Sequence, residues 1–170
     1  MIIDLAELEG SSRPFRFTIP KDELDLEDVT LRPAGDIQVV GEIRKGAAQI
    51  DVTGTINAPA EIECARCLTP IAQDLTIDFV AAFVPPENFA ADKEREVAPE
   101  DLDLDVLEHD RLDLKDVVRE QLLLHEPEQV FCKPDCKGLC PKCGSDRNLI
   151  DCNCDLEESD PRWAALKNWG

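Results

Sequence analysis

Six cysteines stand within 23 residues of one another: Cys132, Cys136, Cys140, Cys143, Cys152 and Cys154. Their spacing is C-x3-C-x3-C-x2-C-x8-C-x-C. The centre, Leu139-Cys140-Pro141-Lys142-Cys143-Gly144, has the form of a knuckle, in which two thiolates face one metal ion. The glycine there frees backbone amides to point at the sulfurs. Zinc takes four tetrahedral nitrogen or sulfur ligands, usually supplied as short-spaced pairs. Three such pairs lie in this run, so any four of the six thiolates can complete a structural site. Cys140 and Cys143 are the firmest ligands, while Cys132/Cys136 and Cys152/Cys154 compete to complete the tetrahedron. The run contains no histidine and has thiolates to spare, which favours a closed site over a catalytic one with an open position.

A further pair, Cys64-Ala65-Arg66-Cys67, stands far from the run, between two strand-like segments. Leu68-Thr69-Pro70 follows it, which suits a hairpin loop and not the helix start of a redox C-x-x-C. The readings that stand are a second metal knuckle, a partner for the C-terminal cluster, thiols packed at a loop, or redox chemistry. Arg66 is read as a solvated loop residue, or one that neutralises thiolate charge or binds an anion. Disulfides need an oxidising compartment, and Met1–Glu7 has neither the basic region nor the apolar stretch of a signal peptide. A cytoplasmic protein with reduced thiols is the expectation.

Other chemistry is missing. The chain has no phosphate-cradling glycine loop, no GxSxG and no HExxH, and its two histidines, His109 and His125, read as surface residues. Carboxylates are too numerous for any pair to be nominated as acid and base. The expectation is a protein that is not an enzyme.

The elements that must position the cysteines follow from periodicity. Phe15, Phe17 and Ile19 alternate with polar residues. Ile37–Arg44 leads through Lys45-Gly46 into Gln49–Ile56, which places Ile50, Val52 and Ile56 on one face. Leu75, Ile77, Phe79, Ala81 and Phe83 make the clearest period-two stripe, ended by Pro85-Pro86. Strands this close in sequence predict an antiparallel meander closing towards a barrel or sandwich. Asp113 predicts a helix N-cap, with Leu114, Val117, Val118 and Leu122 on one face and Pro127 as a stop. Asp160-Pro161 predicts a short terminal helix with Trp163 and Leu166 on one face. The expected class is α+β. It is divided into an antiparallel β domain (1–86), an acidic loop (87–111, with a short strand possible within Val97–Leu107) and a helix plus zinc-stapled tail (112–170).

The 170 residues carry a net charge of -19. Between Glu87 and Glu128 there are fifteen acidic and five basic residues, a balance of -10. Such a chain is repelled by bare phosphate backbone, and basic partners fit it better. No apolar run approaches the roughly 20 residues of a membrane span.

Two landmarks together resemble the YceD-type large ribosomal RNA subunit accumulation proteins. Glu63-Cys64-Ala65-Arg66-Cys67-Leu68 resembles their CxRCL element. Cys132 to Gly144 and Asp160-Pro161-Arg162-Trp163-Ala164-Ala165-Leu166 resemble their C-terminal signature in its cysteine-rich version. The resemblance implies a cytoplasmic, non-catalytic factor in accumulation or processing of large-subunit ribosomal RNA and in ribosome assembly. Together with the acidic charge it implies ribosomal proteins or a pre-ribosomal particle as partners, with any ribosomal RNA contact confined to the basic knuckle region. Some members lack the C-terminal cysteines, which implies that zinc stabilises the tail. Two rivals remain. One is a direct RNA-binding zinc module using the Arg66 loop and Lys133, Lys137, Lys142 and Arg147. The other is a thiol-based redox or zinc sensor.

Overall fold

The computed structural model describes residues 1–7, 12–24, 26, 31–86, 104–107, 111–154 and 162. It forms two compact units: Met1–Ile62 with Ala72–Glu128, and Glu63–Ile71 with Gln129–Gly170. The division follows space and not chain order. It assigns the loop that carries Cys64 and Cys67 to the same unit as the cysteine-rich tail.

The first unit is built on strands β1 (Ile2–Asp4), β2 (Ser12–Ile19), β3 (Leu31–Pro33), β4 (Ile37–Lys45), β5 (Ile50–Glu63), β6 (Pro70–Val84), β7 (Leu104–Val106) and β8 (Arg111–Asp113). Helix α1 (Leu114–Leu124) follows β8 directly. β5 and β6 run on into the second unit, where they flank the Cys64–Cys67 loop. Six strands make one sheet in the order β2-β4-β5-β6-β7, with β3 on β5, while β1 and β8 form a separate pair. β2 with β4, β4 with β5, β3 with β5 and β1 with β8 are antiparallel. The sheet departs from the expected meander at one end. β7 lies parallel to β6, with Ala82 opposite Leu104 and Val84 opposite Val106. A parallel neighbour cannot be joined by a tight hairpin, so hairpin logic does not foresee it. Among the described residues the sheet is an open path from β2 to β7, and no barrel closure is drawn.

Alternation explains the core. Ile37, Val39, Ile43, Ile50, Val52, Ile56, Ile77, Phe79 and Phe83 are buried in one cluster with Phe15 and Ile19. Two glycines stand in these inward rows, and register places them opposite each other, Gly41 against Gly54. A Cβ at Gly41 would lie 2.5 Å from the Phe15 ring, and one at Gly54 would lie 3.0 Å from Phe79. The missing side chains are the space the two rings occupy.

Helix α1 starts where the sequence puts it. The Asp113 carboxylate accepts from the Lys115 amide at 2.9 Å, and Leu114, Val117, Val118 and Leu122 are buried. Its last turn closes with the His125 amide donating to the Gln121 carbonyl at 3.1 Å, and His125 Nδ1 also lies 2.9 Å from that oxygen. Among the described residues no helix is long and apolar enough to cross a membrane. The terminal helix expected from Asp160 and the whole of His109 lie outside the described residues.

Candidate metal centre

The second unit contains all eight cysteines, and it sorts them into two groups of four. Cys64 and Cys67 meet Cys132 and Cys136, while Cys140 and Cys143 meet Cys152 and Cys154. Within each group every sulfur lies within 4.8 Å of the others. The Cys140/Cys143 knuckle is therefore joined by Cys152/Cys154, and Cys132/Cys136 turns away to the distant C-x-x-C.

The two knuckles have one backbone design. In the first, Cys64 to Thr69, the Leu68 amide donates to the Cys64 carbonyl and the Cys64 amide donates to the Thr69 carbonyl, both at 2.9 Å. In the second, Cys140 to Ser145, the Gly144 amide donates to the Cys140 carbonyl at 2.8 Å and the Cys140 amide to the Ser145 carbonyl at 2.9 Å. The residue after the second cysteine is left-handed in both, with φ of 59° at Leu68 and 71° at Gly144. A hydroxyl sits 3.2 Å from the second sulfur in both: Thr69 Oγ1 at Cys67 and Ser145 Oγ at Cys143.

Folding the backbone this way aims amides at sulfur. Burial pushes the Cys64 thiol up, but the amides of Cys132, Arg66 and Cys67 outweigh it and bring the thiol down to about 6. The Cys132 amide donates to Cys64 Sγ at 3.4 Å. In the second knuckle the Cys143 and Lys142 amides lower Cys140, against burial. The Ser145 hydroxyl and amide lower Cys143 to about 6. Each lowered thiol has a crowded neighbour that is raised. Burial, then contact with Cys136, pushes Cys132 up to about 12. Contact with Cys143, then burial, pushes Cys154 up to about 12. Four thiols this close cannot all ionise beside one another unless a cation joins them.

The donor set fits zinc. A Zn–S bond of about 2.3 Å in a tetrahedron separates adjacent sulfurs by about 3.8 Å. Cys64 and Cys136 sulfurs are 3.9 Å apart, and Cys67 and Cys132 are 3.6 Å apart. A disulfide requires about 2.05 Å, and all eight thiols are free. Four sulfur donors on each site leave no open position for a reacting water.

Arg66 has a structural task that its sequence position concealed. Its guanidinium lies 4.4 Å over the Phe131 ring, and Nη1 donates to the carbonyls of Cys136 at 3.0 Å and Pro134 at 3.4 Å. The Arg66 carbonyl accepts from the Leu139 amide at 2.9 Å, and the Ala65 amide donates to the Val130 carbonyl at 2.8 Å. The arginine between the knuckle cysteines therefore clasps the segment that brings Cys132 and Cys136. The side chain stays exposed, as the sequence predicts, and the contacts to Phe131, Pro134 and Cys136 are what the sequence does not foresee. Sequence spacing did carry one signal for the first group: Cys-x-x-Cys-x-Thr at 64–69 matches Cys-x-x-Cys-x-Ser at 140–145. Leu68 in the glycine position hid it.

An open β sheet joined to a paired-knuckle thiolate unit defines the class of this protein. The chain belongs to the family described as large ribosomal RNA subunit accumulation protein YceD, which matches residues 52–169 and so includes both knuckles. It is 36% identical over 115 residues to uncharacterized proteins of Mycobacterium bovis and Mycobacterium tuberculosis, covering 68% of this chain. The chain spans about half the length of these mycobacterial relatives, 53% of each. It is also 27% identical over 167 residues to the uncharacterized protein YlbN of Bacillus subtilis, covering 98% of this chain and 92% of the relative. No solved structure matches it significantly.

Proposed function

We propose that this chain is a non-catalytic cytoplasmic factor in accumulation or processing of large-subunit ribosomal RNA, acting on an assembling particle. The observation that carries the reading is the family match, which runs through both thiolate groups. In the same proposal, Cys64, Cys67, Cys132 and Cys136 hold one zinc ion, and Cys140, Cys143, Cys152 and Cys154 hold a second. Zinc, when bound, supplies folding energy of about 10–16 kcal/mol per site to a segment with little apolar core of its own. The thiolates orient the two knuckles, the amides of Arg66, Cys67, Lys142 and Cys143 balance sulfur charge, and Arg66 holds the segment that carries Cys132 and Cys136.

Charge supports a protein partner over naked RNA. With a balance of -10 between Glu87 and Glu128, the chain repels phosphate and steers basic ribosomal proteins. The exposed Arg66 guanidinium already makes contacts within the chain, through Nη1 to two carbonyls and over the Phe131 ring.

Depletion of the protein in its own cells tests the role. The expected result is a fall in large-subunit relative to small-subunit ribosomal RNA, with tagged protein sedimenting with precursor particles. An unchanged ratio of the two RNAs, with the protein absent from particles, overturns it. Elemental analysis of protein purified without chelator should find two zinc ions per chain.

A further inference from the structure

One side chain joins the two thiolate groups. Asn148 lies in the loop between Cys143 and Cys152, both of the second group, yet its Nδ2 donates to Cys136 Sγ of the first group at 3.3 Å. Its Oδ1 accepts from the Lys137 amide at 2.9 Å, one residue beyond Cys136. Asp146 holds Asn148 in place: the Asp146 carboxylate accepts from both the Asn148 amide and Nδ2 at 2.8 Å. The loop around it is a wound turn, in which the Ile150 amide donates to the Asp146 carbonyl at 2.9 Å.

The backbone between the groups is pinned from both sides. Leu139 bridges to Asp146, and the Arg147 amide donates to the Gly138 carbonyl at 2.9 Å. On the opposite side, the Leu139 amide donates to Arg66 in the first knuckle. Gly138 has φ of +70°, and a Cβ there would lie 2.9 Å from the Arg66 carbonyl oxygen. The 137–139 linker is therefore hydrogen-bonded to the first knuckle on one side and to the second group's loop on the other. A hydrogen bond from a neutral amide to a metal-bound thiolate offsets sulfur charge, and loss of such outer contacts typically weakens metal binding about 10–100-fold.

We propose that the two groups form one cooperative binuclear metal unit, and that Asn148 is the positioning residue through which the second group controls metal affinity at the first. The proposal rests on the reading that each group holds a metal. Closing the second group fixes the 144–151 loop and sets the Asn148 amide against Cys136. Opening it releases that amide. By linkage, an occupied first group favours closure of the second to the same extent.

The test is cadmium-113 NMR of the full chain with a competing chelator, following one resonance per four-sulfur site. Cys143→Ser removes one resonance and so assigns them. In Asn148→Ala and in Asn148→Asp, affinity at the first site should fall about 10–100-fold, although Asn148 ligates neither metal. Cys143→Ser should weaken the first site similarly, and adding Asn148→Ala to it should produce little further loss. First-site affinity unchanged by both Asn148 variants, or effects of Cys143→Ser and Asn148→Ala that multiply, overturns the coupling while two metals are still bound. Fewer than two resonances in the unsubstituted protein would instead overturn the metal reading and the coupling together. Far-UV circular dichroism of each variant, matched to the parent, shows that folding of the first unit is intact.

Discussion

Cys64–Thr69 and Cys140–Ser145 are the same knuckle placed in two different chain contexts. The second knuckle finds its partners nearby, since Cys152 is nine residues beyond Cys143. The first finds them 65 residues away for Cys67 and Cys132, and 72 away for Cys64 and Cys136. Closing a flexible loop of that length costs about 1.8 kcal/mol more than closing one of nine residues. Burial differs in the same direction. In the first group Cys64, Cys67 and Cys136 are buried and pack with Ile71 and Leu139 while Cys132 is exposed; in the second Cys140 alone is buried, Cys143 is exposed and Cys152 and Cys154 are half-buried. The local group can close as soon as its own segment is made. The long-range group needs the β5–β6 loop and the tail to be in place first, so it reports on the fold of the second unit.

Removing a ligand should separate the two contexts most sharply. Cys64→Ser leaves a buried, incomplete site, and the expected zinc content falls from two ions per chain to at most one. Chain 129–154 should then become sensitive to limited proteolysis. The strand signal in circular dichroism should persist, because the main core contains no cysteine. Cys154→Ser, on the half-buried side, should leave the region around Arg66 more resistant to cleavage than Cys64→Ser does. Equal cleavage patterns for the two variants would erase the distinction.

Acidity is the next largest lever. At neutral pH Cys154, pushed up to about 12 chiefly by Cys143, holds its proton, and so does Cys152, raised first by contact with Cys140. Loading the second group must expel at least these two protons. Its metal affinity should therefore rise at least about 100-fold per pH unit around neutrality and fall as pH drops. Competition titrations at pH 7 and 8 check this, and a flat profile would show that the thiols are already ionised without metal.

Glycine substitutions sharpen the comparison of the surroundings. Gly138 and Gly144 have nearly equal φ, +70° and +71°, but only Gly138 faces a neighbour; a Cβ on Gly144 meets nothing within 4 Å. Gly144→Ala should cost about 1–2 kcal/mol, the left-handed penalty alone. Gly138→Ala adds a clash with Arg66 backbone and should cost about 2–4 kcal/mol. Chemical unfolding of the two variants, followed by far-ultraviolet circular dichroism, would show whether the gap exists.

The smallest expected effect is a gain. Leu68 occupies the left-handed position that glycine fills in the other knuckle, and its side chain is 56% exposed, so little packing is lost with it. Leu68→Gly should relieve the backbone, partly offset by the greater freedom of glycine in the unfolded chain. A net stabilisation of about 0.5–1 kcal/mol is expected from those two terms. Destabilisation would mean that Leu68 makes an apolar contribution its exposure conceals.

Local pattern decided much of this protein from sequence alone. The β4–β5 hairpin, the inward stripe of β6, the Asp113 cap with its four buried apolar partners on α1, and the Cys140–Gly144 knuckle are all set by residues within a few positions of one another. Hydrogen-bonding period, capping and left-handed glycine act over such distances, so they leave readable traces. Tertiary structure alone decided which cysteine pair meets which, that Arg66 clasps the Cys132–Cys136 segment, that β1 pairs with β8 and that β7 runs parallel to β6. Every short cysteine pair offers the same sulfur atoms at the same reach, so the chemistry of the ligands cannot rank the pairings. The choice falls to backbone packing between segments dozens of residues apart, where Gly138 has room for Arg66 and no other side chain needs to announce it.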